Sequence, residues 1–420
     1  MSPFLPFDII ALIVDIVGEN NDTNLLQELA LVSHSFHQIC SRHLFATVRL
    51  HDANLTYHIA SSKKGFVKLL RSRPDVAKHI RKLTYTIEYD HVQSPQFSPH
   101  HLNFYNEDNL LSPILPNFLR TIYRLSSLKI HASQLDWNQL NPSLKSALLH
   151  LMHLPTIDRI DLSFIHNFPL SSLVPSINLL RLDISHVIDV ERFGEEGPPE
   201  LVVQSEIMPK IREFRTLDSS VLTTKLLHAK MQDGRPAFNF TDLKRLRMPT
   251  WFEDKQNIRY LLQNAKSLEK LHLSIGHQGL VGLHDILSLS SRTLKVLDLS
   301  VSFYPNRDPI ALWEELDAMA GLIMLESLSF KFQVNGNQTE DFVGSILRNM
   351  EEVLVKPGWS LKQVSLKIEV IPTEDRDSAE FIEALQSLPD KCLSHFPKRE
   401  SFTFNFSAYV PSSYIWLTTH

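Results

Sequence analysis

Twenty histidines give this 420-residue chain many chances to bring imidazoles together. The densest run is His34, His37, Cys40 and His43, a candidate ligand at every third residue. Zinc takes His and Cys ligands in a tetrahedron, so the residue types fit. The spacing does not. On a helix, steps of three fall about 60° short of a full turn, so the four side chains fan around the axis. Cys40 then shares a stripe with Phe36 while His34 points nearly opposite, and no metal is expected there. The segment Gly276-His-Gln-Gly279-Leu-Val-Gly282 follows a strand and opens a helix, as a phosphate-binding turn would. Its spacing matches neither the dinucleotide nor the P-loop pattern, and no Lys-Ser/Thr follows. It reads as a glycine-rich turn. No Gly-x-Ser-x-Gly elbow and no His-Glu-x-x-His helix is present. The chain is therefore expected not to be an enzyme and to need no cofactor.

A second set of candidates is a series of cations: Arg159, Arg181, Arg215, Arg245, Arg247, Lys270 and His272. Each sits between or just before the apolar residues of a recurring pattern, apolar-x-x-apolar-x-apolar. The pattern reads Ile80/Leu83/Tyr85, Leu125/Leu128/Ile130, Ile157/Ile160/Leu162 and Leu179/Leu182/Ile184. It returns as Leu243/Leu246/Met248, Leu268/Leu271/Leu273, Leu294/Leu297/Leu299, Leu325/Leu328/Phe330 and Leu361/Val364/Leu366. Ile211/Phe214 and Phe402/Phe404 are imperfect copies. Each copy writes a short strand that buries alternate side chains and sends the residues between them to the other face. Arginines gathered there suit an acidic or phosphorylated segment of a target protein. Asp161 and Asp183 are interleaved with them, and the competing reading is a solvated face whose charges neutralise one another.

The elements that must position these residues follow from the intervals. Middle positions of successive copies lie 22–45 residues apart. Stretches with helical apolar spacing fill the gaps: Phe66–Leu70, Leu144–Met152, Ile258–Leu262, Leu280–Leu287, Ile310–Met319, Phe342–Val353 and Phe381–Leu388. Strand and helix alternating at such spacing imply parallel strands. A doubly wound enzyme wants glycine-rich turns, yet the chain has only 12 glycines. A closed barrel wants eight strands, and about eleven copies are present. An α/β open solenoid is expected, with parallel strands on its concave face and helices outside. Asp90–Asn109 and His186–Pro209 read as long surface loops.

The first 48 residues are of another kind. Leu5-Pro6-Phe7-Asp8 places a proline ahead of a helical run in which Ile9, Ile10, Ile13, Ile16 and Val17 recur. Asn24 is placed to cap a second run from Leu25, and a third carries Leu29, Val32, Phe36, Ile39 and Cys40. Three helices this short bury too little to stand alone. The pattern Leu-Pro-x-acidic-Ile-Ile-x-x-Ile, a leucine-rich second helix, then Leu-Val-Ser-x-x-Phe and a closing Leu-Phe resembles a fungal-type F-box-like module. Irregular leucine-rich repeats are usual behind such modules. The resemblance implies a three-helix module over 1–48 and a leucine-rich-repeat domain over 49–420. It further implies docking on a Skp-type adaptor of an SCF-type, cullin-based ubiquitin ligase, while the repeats bind an unknown protein substrate. Carried over by position, the adaptor-binding residues are Leu5, Pro6, Ile9, Ile10, Ile13, Leu26, Leu29 and Val32. The alternative is an interaction scaffold whose N-terminal helices merely cap the solenoid.

Composition agrees with either. Net charge is −5, which draws the chain neither to nucleic acid nor to a membrane surface. Cys40 and Cys392 offer no disulfide framework, and no apolar run of ~18 residues is present to span a bilayer. Asp8 and Asp15 interrupt the apolar N-terminal stretch, so a secretory signal is not expected. An intracellular location, cytoplasmic or nuclear, is the expectation.

Overall fold

The computed structural model describes residues 6–20, 22–51, 63–87, 114–188, 202–203, 207–249, 254–275, 282–290, 292–302, 310–321, 324–335, 339–372, 378–396 and 403–411. They fall into two units, Met1–Lys210 with Thr224–Phe238, and Ile211–Thr223 with Asn239–His420. The architecture is α/β, and its main strands are parallel.

The first unit opens with α1 (Phe7–Glu19), α2 (Thr23–Val32) and α3 (His34–Leu44). The Pro6 carbonyl accepts from the N–H groups of Ile9 and Ile10 and starts α1. Asp22, not Asn24, caps α2, its carboxylate accepting from Leu25 N–H at 3.0 Å. Ser33 ends α2 in extended backbone and caps α3 through Phe36 N–H. The chain passes directly into β1 (Thr47–His51), then α4 (Lys63–Ser72), a 3₁₀ turn (Pro74–His79), β2 (Lys82–Ile87), α5 (Ile114–Leu119), β3 (Ser127–Asp136), α6 (Pro142–Met152), β4 (Arg159–His166) and β5 (Arg181–Ser185). The strands pair in chain order, so Val48, Leu83, Leu128, Ile160 and Leu182 occupy one row. The sheet thus begins one strand before the first copy of the apolar pattern.

Next come β6 (Val202–Val203), β7 (Glu213–Leu217), α7 (Ser220–His228) and β8 (Lys230–Met231). β6 pairs with β8, so the stretch read as a loop over His186–Pro209 contains a strand. The Asp90–Asn109 segment lies outside the described residues. β7 opens the row of the second unit, which continues with β9 (Arg245–Pro249), α8 (Asp254–Asn264), β10 (Lys270–Ile275), α9 (Leu283–Ser288) and β11 (Val296–Ser302). It ends with α10 (Ile310–Met319), β12 (Ser327–Asn335), α11 (Glu340–Leu354), β13 (Gln363–Ile371), α12 (Ser378–Gln386), α13 (Leu388–Cys392) and β14 (Thr403–Tyr409). Phe214, Leu246, Leu271, Leu297, Leu328, Val364 and Phe404 share a row. The last strand is therefore shifted by two residues from the copy read in the sequence: Phe404 and Phe406, not Phe402 and Phe404, continue the rows of Val364 and Leu366.

Register is held at the start of each strand by a shared carbonyl. Ser126 and Ser127 N–H both donate to Arg81 O, Asp158 and Arg159 to Ser126 O, and Leu180 and Arg181 to Asp158 O. In the second unit Glu269 and Lys270 donate to Lys244 O, and Lys295 and Val296 to Glu269 O. One carbonyl has two lone pairs and can serve both donors. Along β10 buried and half-buried residues alternate, with Leu271 and Leu273 fully buried and Lys270, His272 and Ser274 on the other face. Neighbouring helices pack on one another along the row, α8 on α9, α9 on α10 and α10 on α11. Among the described residues no helix is long and apolar enough to cross a membrane.

Candidate functional site

The helix α1 is apolar almost all round. Ile10, Val14 and Val17 form an inward stripe that packs with Leu26, Leu29 and Ala30 of α2 and with Phe36, Ile39, Cys40 and Leu44 of α3. Asp15 fixes the helix to α3 through Arg42 and through His43 Nε2 at 2.7 Å. The His43 ring lies so close over Gly18 that a Cβ there would collide with it. That close approach requires glycine.

The opposite stripe has nothing over it among the described residues. Ile9, Leu12, Ile13 and Ile16, at helical spacing i, i+3, i+4 and i+7, are exposed, with Ile9 at 42% and Leu12 at 56%; Phe7 at 56% precedes them. On α2, Leu25, Leu31 and Val32 are exposed as well. A helix that is apolar on every side belongs in a buried setting. At 13 residues α1 is ~20 Å long, too short for the ~30 Å of a bilayer core.

The expected docking residues divide accordingly. Pro6, Ile9, Ile13 and Val32 are exposed. Ile10 and Leu29 are half-buried against the module interior, and Leu26, 3% exposed, lies within it. Leu5 lies outside the described residues. Phe7, Leu12 and Leu31 were not singled out from the sequence, although the i, i+3, i+4, i+7 spacing of Ile9, Leu12, Ile13 and Ile16 was available as a signal.

The four-residue His/Cys run disperses. Cys40 is fully buried, and burial pushes its thiol pKa up. His43 meets Asp15, His37 Nε2 accepts from Arg73 Nη1 at 3.1 Å, and His34 meets Gln38 at 2.9 Å. Of the glycine-rich segment, 276–281 lie outside the described residues, while Gly282 caps α9 at φ +82°, a conformation that favours glycine. Glu315 of α10 accepts from Gly282 and His284 N–H, both at 2.7 Å. The anion at this helix start is the protein's own carboxylate.

On the polar face of the strands, each unit pairs cations with carboxylates across neighbouring strands. In the first unit Arg159 and Arg181 are register partners, as are Asp161 and Asp183, and Lys129 lies 3.3 Å from Asp161. In the second, Arg245 lies 3.3 Å from Glu213 and Lys270 lies 2.8 Å from Asp298, with His272 at 3.9 Å. Burial alone would raise the Asp298 pKa; the neighbouring His272 and Lys270 outweigh it and hold the carboxyl below its ordinary value. Arg215, Arg247 and His272 are side by side in register. Of the predicted cations, Arg245 and Lys270 thus stand in ion pairs.

Compared with known proteins, the chain matches no protein-family model and no curated sequence.

Proposed function

We propose that the protein is a non-enzymatic substrate-recognition subunit of an SCF-type, cullin-based ubiquitin ligase. Its N-terminal helices form an F-box-like module that docks a Skp-type adaptor, and its irregular leucine-rich repeats bind the protein to be modified. The observation that carries this reading is the outer stripe of α1, Phe7, Ile9, Leu12 and Ile13, left exposed on a helix whose other stripe already forms the module interior. A helix serving only as a cap needs one apolar stripe; this one has two. Carboxylate–cation pairing on the polar strand face supports a target held by shape and dispersed polar contacts rather than by one strong charge patch.

The alternative, a scaffold whose helices close the end of the repeats, draws on α3, where Arg73 donates to His37 across to the first strand–helix segment. Co-purification with a Skp-type adaptor distinguishes the two. Capture by the wild type and loss on replacing Ile9, Leu12 and Ile13 with serine supports the ligase reading. Absence of any adaptor from the wild-type complex rejects it.

A further inference from the structure

The first unit also holds a cleft of about 650 Å³ between α3 and the 3₁₀ turn Pro74–His79. His34 and His37 face it from α3; Arg73, Asp75, Lys78 and His79 face it from the turn. Among the described residues that line it Asp75 is the sole carboxylate, and Arg73 already holds it in a two-pronged pair, Nε to Oδ1 at 3.0 Å and Nη2 to Oδ2 at 2.9 Å. That bond keeps the Asp75 carboxyl below its usual range. Arg73 in addition donates to His37 Nε2 at 3.1 Å.

Beyond Asp75, the other cations in and beside the cleft meet no carboxylate in an ion pair among the described residues. Lys78 has no ion pair among the described residues, and neither do Arg81 and Arg124, whose charges act on His79. Burial first, then Lys78, pushes the His79 pKa down, with Arg81 and Arg124 adding to it and Asp75 opposing. The Arg81 guanidinium is itself pushed down by burial and by Arg124. The strand face of the same unit behaves otherwise, since Lys129 there meets Asp161. Among the described residues the cations around this cleft outnumber its carboxylate, and an excess of positive charge in a concave site attracts an anion.

We propose that this cleft binds a phosphomonoester, with Lys78 and His79 as its principal donors and Arg73 able to join them. A phosphate ester carries close to two negative charges at neutral pH and three acceptor oxygens, enough to engage several of these groups at once. The cleft falls within the ~300–1,000 Å³ of ordinary ligand sites and is far larger than one phosphate, so the phosphate is expected on a larger molecule. The site does not depend on the adaptor-docking reading, because none of its residues belongs to the exposed stripe of α1.

The test uses the full chain and two probes, inorganic phosphate and a phosphoserine peptide, with the unphosphorylated peptide and ionic-strength-matched chloride as controls. Calorimetric titration and thermal unfolding are recorded for the wild type, for Lys78→Glu and for Lys78→Met. Saturable binding by the wild type, weakened at least tenfold in both variants whose unliganded melting temperatures match the wild type, is the expected result. Binding of the peptide but not of free phosphate assigns the site to a phosphorylated polypeptide; binding of free phosphate with no gain from the peptide assigns it to the small anion. Wild-type protein that binds neither probe beyond the chloride control, or variants that bind as tightly as wild type, overturns the proposal.

Discussion

Replacing Phe7, Ile9, Leu12 and Ile13 together with alanine should separate docking from folding. Fully burying a large apolar side chain contributes about 1.5–3 kcal/mol relative to leaving it in water. The four are 56%, 42%, 56% and 39% exposed. Scaled by those fractions, a partner that closes over all of them gains roughly 3–6 kcal/mol. Alanine keeps the Cβ, so the variant should bind a Skp-type adaptor roughly 30- to 1,000-fold more weakly. Stability should move by no more than about 2 kcal/mol, at most about 0.5 for each surface site, because alanine is the best helix former and the inward stripe is untouched. Adaptor affinity is measured by interferometry on the purified full chain and stability by urea unfolding. Unchanged affinity would refute docking through α1. Destabilisation by several kcal/mol would show instead that this stripe is packed within the protein.

Leu271→Ala removes a fully buried side chain flanked in register by Leu246 and Leu297 and should cost about 2–5 kcal/mol in chemical unfolding; a cost under 1 kcal/mol would deny Leu271 its place in the core. Glu351 is buried and accepts from the N–H groups of Ser394, His395 and Phe396; burial alone would raise its pKa, and these bonds, His395 first, hold it below the ordinary 4.5. Its stabilisation is present above that value and lost as pH falls through the lower folded-state pKa, so Glu351→Gln should cost about 1.5–3 kcal/mol at pH 7, with the gap narrowing on acidification below the ordinary value; a gap that does not narrow at any acid pH at which the protein stays folded contradicts the assignment. Arg245→Glu sets a carboxylate beside Glu213, but with the Arg245 side chain 64% exposed the loss should stay below about 1 kcal/mol and be recovered by adding Glu213→Arg; failure of that second change to recover it would mean the two do not interact.

Periodic information was legible in the chain. Leu268, Leu271 and Leu273 write their own strand, and the same spacing in Leu294, Leu297 and Leu299 places the next beside it, because a two-residue period decides which side chains share a face. The helices between strands were legible for the same reason. Where the apolar pattern thinned, the reading slipped: Phe402 and Phe404 offered the same spacing as Phe404 and Phe406, and only pairing with Val364 and Leu366 selects between them. β1 was missed because it directly follows α3, and Asp22 was passed over for Asn24 because two adjacent capping types differ in sequence by nothing local.

The candidate site shows the same division. Composition and spacing in the sequence determined that α1 is apolar and helical, that cations and carboxylates alternate along the strands, and that His34, His37, Cys40 and His43 diverge. Only the tertiary structure decided which stripe of α1 is already covered, that Leu26 lies inside the module, and that Glu315 fills the helix start at Gly282. It alone brought Lys78 and His79 opposite His34 and His37 across a cleft. Secondary structure follows from neighbours a few residues away, which the sequence states. Exposure and charge pairing depend on which distant segments arrive at the same place, and that is fixed by packing and register.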